Sequence, residues 1–303
     1  MIPTFVIFFR EGIEASMIVA VLLSYLNRIG QRRYFKDIFL GVSVALVLVL
    51  GGGIAAFLLI DQYDGSNVQT YFETATYLIA AGALTYMTFW MQSHARNMTK
   101  ELERRSDQAL SGGTRAGLGI LAFQAVGREG VETMVFTLAI VFASTKQAAT
   151  PVHGDFLLFG AALGLLIALC TAFAIYRLGA RLNLRRFFQI LGILLMIFAA
   201  GLLVDAVENL QQLGWLPFGQ TALWNTSGWV SEGSNIGDAL HSLLGYAERP
   251  TVLQAVVWAS YVAASIFAFI RIGHNGVSFK RSNSKGGVTR SDQNNPTILT
   301  REN

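Results

Sequence analysis

Residues 10–14 read Arg-Glu-Gly-Ile-Glu, and residues 128–132 read Arg-Glu-Gly-Val-Glu. Each stretch lies within a run of apolar residues that is long enough to cross a membrane. A carboxylate near the centre of a bilayer costs at least about 2.5 kcal/mol on insertion scales, so such residues normally face the interior of a helical bundle or a water-filled path. The repeated pattern therefore predicts a polar pathway through a membrane protein.

The composition is that of an integral membrane protein. Hydrophobic residues make up 53% of the 303 residues, charged residues make up 14%, and there are five prolines, which is too apolar for an ordinary soluble domain of this length. Apolar windows of about 20 residues, the length that crosses the hydrocarbon core, occur seven times. They lie near 2–27, 38–60, 71–93, 116–143, 155–176, 187–210 and 251–271. We predict an all-α membrane protein with seven transmembrane helices, because the alternating pattern of a membrane barrel is missing from these windows.

The distribution of Lys and Arg predicts the orientation. Basic residues concentrate in the connections after the first, third and fifth windows and in the C-terminal tail. By the positive-inside rule these segments are cytoplasmic, so the N-terminus is expected outside and the C-terminus inside. The net charge of +4 is then a signal of topology, and it gives little support to nucleic-acid binding.

The two motifs belong to a longer internal repeat. Arg10 and Arg128 are 118 residues apart, and a shift of 119 superposes Ala80-Ala81-Gly82 on Ala199-Ala200-Gly201. Since each copy contains three helices, the second copy enters the membrane from the opposite side, which gives an inverted repeat of the kind found in secondary transporters. The seventh helix stands outside the repeat.

The domain organisation follows from this repeat. Residues 1–275 form the predicted permease domain, with repeats at about 1–93 and 116–210, followed by the seventh helix at about 251–271. The polar, basic tail 276–303 is predicted to be disordered and cytoplasmic. Residues 94–115 are predicted to form a polar helical extension in which Glu101 and Arg105 pair.

Each motif places its charges on one side of a helix. At about 100° per residue, Arg10 and Glu14 lie on nearly the same line, with Glu11 nearby. An Arg10–Glu14 ion pair lowers the cost of burying both groups, and Arg128 and Glu132 repeat this arrangement. The glycine between the glutamates permits close helix approach, so Gly12 is expected to face Gly130 across the pathway.

Four carboxylates in a dry site favour a hard multivalent cation. The candidate ligands are Glu11, Glu14, Glu129 and Glu132, with Arg10 and Arg128 as supporting ion pairs. Sulfur and imidazole are absent from the motifs, and all four histidines fall at predicted helix ends or in connections. The alternative is that each Arg-Glu set is an ion pair that only holds helices together.

A second group of acids lies toward the predicted outer side and could concentrate cations in a vestibule. Glu73, Asp205 and Glu208 fall within apolar runs, whereas Asp61, Asp64 and Asp155 fall at helix boundaries. We expect the first three to be the stronger candidates for the path.

The chain resembles the oxidase-dependent iron transporter family over about residues 1–272. The resemblance is carried by the doubled motif, by Arg-Leu-Asn-Leu at 181–184 and by His-Ser-Leu-Leu-Gly-Tyr at 241–246. The family includes fungal high-affinity iron permeases and the permease component of a bacterial three-part ferrous-iron uptake system.

This resemblance implies a high-affinity iron permease of the plasma membrane, with iron as the transported substrate and neither a cofactor nor an enzymatic activity. It implies that Glu11, Glu14, Glu129 and Glu132 bind the iron, and that an extracytoplasmic oxidase or iron-binding protein supplies it. The Glu-x-x-Glu of some family members is missing from the outer connections, which puts direct handover from a partner in doubt.

Other functions remain open at this stage. A permease for another divalent metal, such as lead or manganese, would use the same carboxylates. A membrane di-iron oxidoreductase would usually add Glu-x-x-His motifs, which these helices lack. Compact loops and a short tail favour a bacterial inner membrane, and the chain could assemble as a homo-oligomer.

Overall fold

The regular structure of the described residues is α-helical, apart from one short 3-10 turn. The structure is a computed structural model that describes residues 2–63, 65–94, 98–111, 116–147, 154–178, 184–231, 234, 237, 240–241 and 244–285. Its α-helices are α1 (Ile2–Arg28), α2 (Phe35–Asp61), α3 (Asn67–His94), α4 (Met98–Ser111), α5 (Ala116–Gln147), α6 (Gly154–Leu178), α7 (Leu184–Gln212) and α8 (Val252–Lys285). The predicted fold class is therefore confirmed at the level of an all-α protein.

Seven of these helices are long, and they coincide with the seven predicted windows. Within the described residues, four stretches are long and apolar enough to cross a membrane on length and composition: Arg32–Ile60, Leu157–Ala174, Gln189–Gln212 and Val252–Phe269. They correspond to α2, α6, α7 and α8. Both α1 and α5 carry the three charged residues of a motif, which lowers their mean hydropathy. The number of spans and their orientation stay predictions.

Helix α4 is the polar extension predicted between residues 94 and 115. Glu101 pairs with Arg105 at 2.9 Å and with Arg104 at 2.8 Å, which confirms the predicted i,i+4 contact. Hydrogen bonds from Arg104 and then Arg105 lower the pKa of Glu101 to about 2. The opposite face is buried at Leu102 and Ser106, and the Tyr25 hydroxyl of α1 donates a hydrogen bond to Asp107. These contacts hold α4 against α1 and α5.

The long helices pack in three pairs. Helix α1 lies along α6, α2 lies along α5, and α3 lies along α7, while α8 packs on α7. Fully buried Tyr77, Leu84, Phe136 and Leu195 lie in the largest apolar cluster, between α3, α5 and α7. Helix α2 exposes a broad apolar surface, which is what a lipid-facing helix requires because its surroundings are also apolar.

Two of the helix pairs are closely packed at glycines. A Cβ added to Gly41 of α2 would lie 2.1 Å from the Gly119 carbonyl oxygen of α5, and one added to Gly164 of α6 would lie 2.6 Å from the Phe5 carbonyl oxygen of α1. Both distances are too short for any side chain, so backbone meets backbone at these points.

Helix α8 continues beyond the predicted seventh span. It runs to Lys285, past residue 276, where the sequence predicted disorder to begin. Residues 286–303 of the predicted tail lie outside the described residues. The proposed division into a permease domain and a tail stays a prediction.

We expect Gly41→Ala to destabilise the protein by about 1–3 kcal/mol, because the added methyl group would overpack the α2–α5 contact. Gly51→Ala on the same helix is the matched control, since a Cβ there meets nothing within 4 Å. Thermal unfolding of the two purified variants in detergent measures the difference. Equal melting temperatures for both variants would contradict the close backbone contact.

Candidate functional site

The two motifs come together in the interior of the bundle. Helix α1 supplies Glu11 and Glu14, and α5 supplies Glu129; one carboxylate oxygen from each lies within 4.8 Å of the others. All three residues are buried. Two motifs that are 118 residues apart in sequence thus bring three of the four predicted carboxylates close together.

Arg10 is the counter-charge within this group. Its Nη1 donates a hydrogen bond to Glu11 Oε1 at 2.6 Å, and its Nε lies 3.2 Å from Glu14 Oε1. Only 3% of its side chain is exposed. The predicted Arg10–Glu14 pair is confirmed, and Arg10 also holds Glu11. Removing one partner of a buried ion pair leaves an uncompensated charge and costs about 3–5 kcal/mol.

Arg128 makes the equivalent pair in a different environment. Its Nε donates to Glu132 Oε1 at 3.1 Å, as predicted, but 47% of its side chain is exposed. Its guanidinium carbon lies 5.3 Å from the centre of the Trp90 ring on α3. The two copies of the motif therefore differ. Arg10 is buried and contacts two glutamates, whereas Arg128 is half-exposed and contacts one glutamate and the Trp90 ring.

Several carboxylate oxygens of the motifs have no protein partner. Glu11 Oε2, Glu129 Oε2 and Glu132 Oε2 are buried and make no hydrogen bond. Buried polar atoms are normally satisfied, so these oxygens are available as ligands. Oxygen donors of this kind are those that hard divalent cations use.

The formal charges also favour a divalent cation. With every group ionised, the three gathered carboxylates and the Arg10 guanidinium sum to −3 + 1 = −2, and the Arg128–Glu132 pair adds zero. A cation of charge +2 would neutralise the group in an interior where unbalanced charge is costly.

The expectation that Gly12 faces Gly130 is wrong. A Cβ on Gly12 would lie 2.9 Å from Ala168 Cβ on α6, and one on Gly130 would lie 2.8 Å from Val49 Cγ2 on α2. The glycines serve close packing, but each against the second helix of the other repeat. The carboxylates, and not the glycines, occupy the space between α1 and α5.

The predicted outer acids lie together on α3 and α7. Glu73 and Asp205 are buried, and the carboxyls of Glu73, Asp205 and Glu208 act electrostatically on the buried Tyr77 hydroxyl. Gln69 donates to Glu73 at 3.0 Å, and Gln212 donates to Glu208 at 3.1 Å. The side chains of Asp61 and Asp155, and all of Asp64, lie outside the described residues.

His241 belongs to this outer group, although the sequence placed it only in a connection. Its Nε2 lies 3.2 Å from Asp205 Oδ1, and its Nδ1 lies 2.7 Å from the Tyr246 carbonyl oxygen. The backbone of Gly245 closely approaches Gly201 on α7, which brings the connection against the helix. The sequence segment 241–246 could have indicated that this connection packs on α7, since it contains both His241 and Gly245.

Comparison with known proteins gives one consistent family. The profile of the iron permease FTR1 family matches residues 1–277. The chain is 34% identical over 287 residues to the ferrous iron permease EfeU of Escherichia coli O6:K15:H31, covering 93% of this chain and 100% of the relative. It is 33% identical over 274 residues to the ferrous iron permease EfeU of Yersinia pestis, covering 89% and 93%. No solved structure matches the chain.

The unequal environments of the two arginines predict unequal losses of stability. Arg10→Gln should cost about 3–5 kcal/mol, because it leaves Glu11 and Glu14 buried without a counter-charge. Arg128→Gln should cost about 1 kcal/mol or less, because Arg128 is half-exposed. Thermal unfolding of both variants at neutral pH measures this difference. Equal losses would show that the two motifs are equivalent in the protein.

Proposed function

The chain belongs to the iron permease FTR1 family, and we propose that it moves ferrous iron through a site formed by Glu11, Glu14, Glu129 and Glu132. It is a permease and not an enzyme. The observation that carries the proposal is the convergence of buried carboxylates from both motifs, with oxygens within 4.8 Å of one another. Iron is the transported substrate.

A divalent ion suits this site better than a purely structural role for the motifs. If the motifs only formed structural ion pairs, each glutamate would need its own arginine. The group has one guanidinium for three gathered carboxylates. Each of these three carboxylates has a buried oxygen that makes no hydrogen bond. The relatives are named as ferrous iron permeases, which agrees with the formal charge of −2.

The two arginines have different roles in this proposal. Arg10 balances Glu11 and Glu14 permanently, because it is enclosed with them. Arg128 has room to move, so it can release Glu132 and let that carboxylate become the fourth ligand. The planar guanidinium suits both tasks better than the point charge of lysine.

We further propose seven membrane spans, an external N-terminus and an inverted repeat of the first and second sets of three long helices. The helix pairing supports the repeat: α1 packs on α6 and α5 packs on α2, which are equivalent pairs if α1–α3 correspond to α5–α7. The residue contacts repeat too, because Gly12 meets Ala168 and Gly130 meets Val49. These positions are related by shifts of 118 and 119 residues.

Glu73, Asp205 and Glu208 form the outer vestibule in this scheme, together with Asp61 and Asp155. The first three are held near each other at the ends of α3 and α7 that lie away from α4. They would attract cations toward the bundle before the ions reach the motif carboxylates.

An extracytoplasmic oxidase or iron-binding protein is the proposed partner on this outer side. The resemblance implies such a protein, and a bacterial inner membrane would suit the relatives, which come from Escherichia coli and Yersinia pestis. A homo-oligomer remains part of the proposal. Copurification from membranes under mild detergent tests both associations.

The central test is uptake of radioactive ferrous iron into cells or proteoliposomes. Glu14→Gln and Glu129→Gln should each reduce high-affinity uptake at least about tenfold, since each removes a charged ligand while keeping the side-chain volume. Asp37→Asn, at the start of α2, is a control for loss of a carboxylate elsewhere. Near-normal uptake by both glutamine variants, at normal membrane levels, would overturn the proposed site.

The same assay tests the choice of metal. Excess manganese or lead should compete weakly with ferrous iron in the native protein if the site is an iron site. Equal or stronger competition by one of these ions would make it the preferred substrate.

A further inference from the structure

A cavity of about 520 Å³ adjoins the motif carboxylates. It lies between α1, α3, α4 and α5. Its walls include Glu14, Trp90, Glu101, Arg105, Arg128 and Glu129. The volume is far larger than the roughly 30 Å³ that one water molecule occupies in the liquid, so a hydrated ion fits within it.

The cavity connects two groups of charges that are far apart in sequence. Glu14 and Glu129 belong both to the gathered carboxylates and to the cavity wall. Glu101 and Arg105 lie at the other end, on α4. An ion held by the motif carboxylates therefore has an open side that faces α4.

Glu101 is suited to act on a cation at that end. Its side chain is 40% exposed and accepts hydrogen bonds from Arg104 and Arg105. The low pKa of Glu101, which results from these hydrogen bonds, keeps it ionised at neutral pH. Because the arginines compete for the same oxygens, a cation would be held only weakly, which conduction requires.

Both arginines on the cavity wall are paired with a carboxylate in this structure. Arg105 pairs with Glu101, and Arg128 pairs with Glu132. Each positive charge thus has a carboxylate beside it, and the wall carries Glu14 and Glu129 in addition.

We propose that this cavity is the exit route of the transported ion, and that Glu101 is the carboxylate that receives the ion after it leaves Glu14 and Glu129. The inference rests on the proposed function and on the cytoplasmic location predicted for α4. It assigns a transport role to a helix that lies outside both motifs and outside the long helices.

Access to the cavity is tested with introduced cysteines in a Cys170→Ser background, because Cys170 is the single native cysteine of the sequence. A membrane-impermeant thiosulfonate should label Leu121→Cys, which lines the cavity, in inside-out vesicles and inhibit ferrous-iron transport at least about tenfold. Ile120→Cys is the matched control. Ile120 is next to Leu121 on α5 and is exposed, but it does not line the cavity. Labelling of Leu121→Cys without loss of transport would overturn the exit route, and so would labelling only from the outer side.

The role of Glu101 is tested by separating its carboxylate from its ion pairs. Glu101→Gln should lower the maximal rate of ferrous-iron uptake about tenfold with little change in the apparent KM, since the motif carboxylates remain intact. Arg104→Gln breaks one ion pair but keeps the carboxylate, and it should retain at least half of the native rate. Normal transport by Glu101→Gln, or an equal loss in both variants, would overturn the assignment of Glu101.

Glu14→Gln distinguishes failure of this inference from failure of the proposed function. If Glu14→Gln abolishes uptake while Glu101→Gln and labelled Leu121→Cys transport normally, the motif site stands and the exit route is wrong. If Glu14→Gln itself transports normally, the proposed function fails and the exit route fails with it.

Discussion

The burial of like charges in an apolar bundle is the constraint on which the rest of the structure depends. Glu11, Glu14 and Glu129 lie close together with Arg10 as the enclosed counter-charge. Carboxylates in such a place are unfavourable unless ion pairs, hydrogen bonds or a bound cation compensate for lost hydration. Arg10 compensates in part, and the remaining negative charge would favour a cation over a neutral or anionic solute at the proposed site.

The small residues of the bundle make this convergence geometrically feasible. Gly41 and Gly164 let α2 and α6 approach the backbones of α5 and α1. These contacts are made by backbone atoms and by the Cβ of Phe8, so they add no polar side chain that would compete for the carboxylates. The helices that carry charge are thereby supported by helices that are almost entirely apolar.

The features that depend on local sequence could be predicted, and those that depend on long-range packing could not. The helical windows, the Arg10–Glu14 and Arg128–Glu132 pairs and the Glu101–Arg105 pair all follow from hydrophobicity or from four-residue spacing. The helix that Gly12 contacts could not be predicted in this way, because a helix with glycine and other small residues can pack either face against a neighbour. The contact of His241 with Asp205 depends on how a connection folds back onto α7. The two motifs have the same charged residues at the same spacing, so they also gave no reason to expect that Arg10 is enclosed while Arg128 lies against Trp90.

The close backbone contacts have a mechanical consequence. They join α1 to α6 and α2 to α5, and the nearest contacts of the described glycines on α1 and α5 are with α2, α4 and α6. Each tight pair should move as a rigid body, since sliding within it would force backbone atoms together. Relative motion is then easiest at the boundary between the α1–α6 pair and the α2–α5 pair. The carboxylates of α1 and α5 lie on opposite sides of this boundary. An ion held by the proposed site would bridge that boundary, so binding and release of the ion would couple and uncouple the two helix pairs.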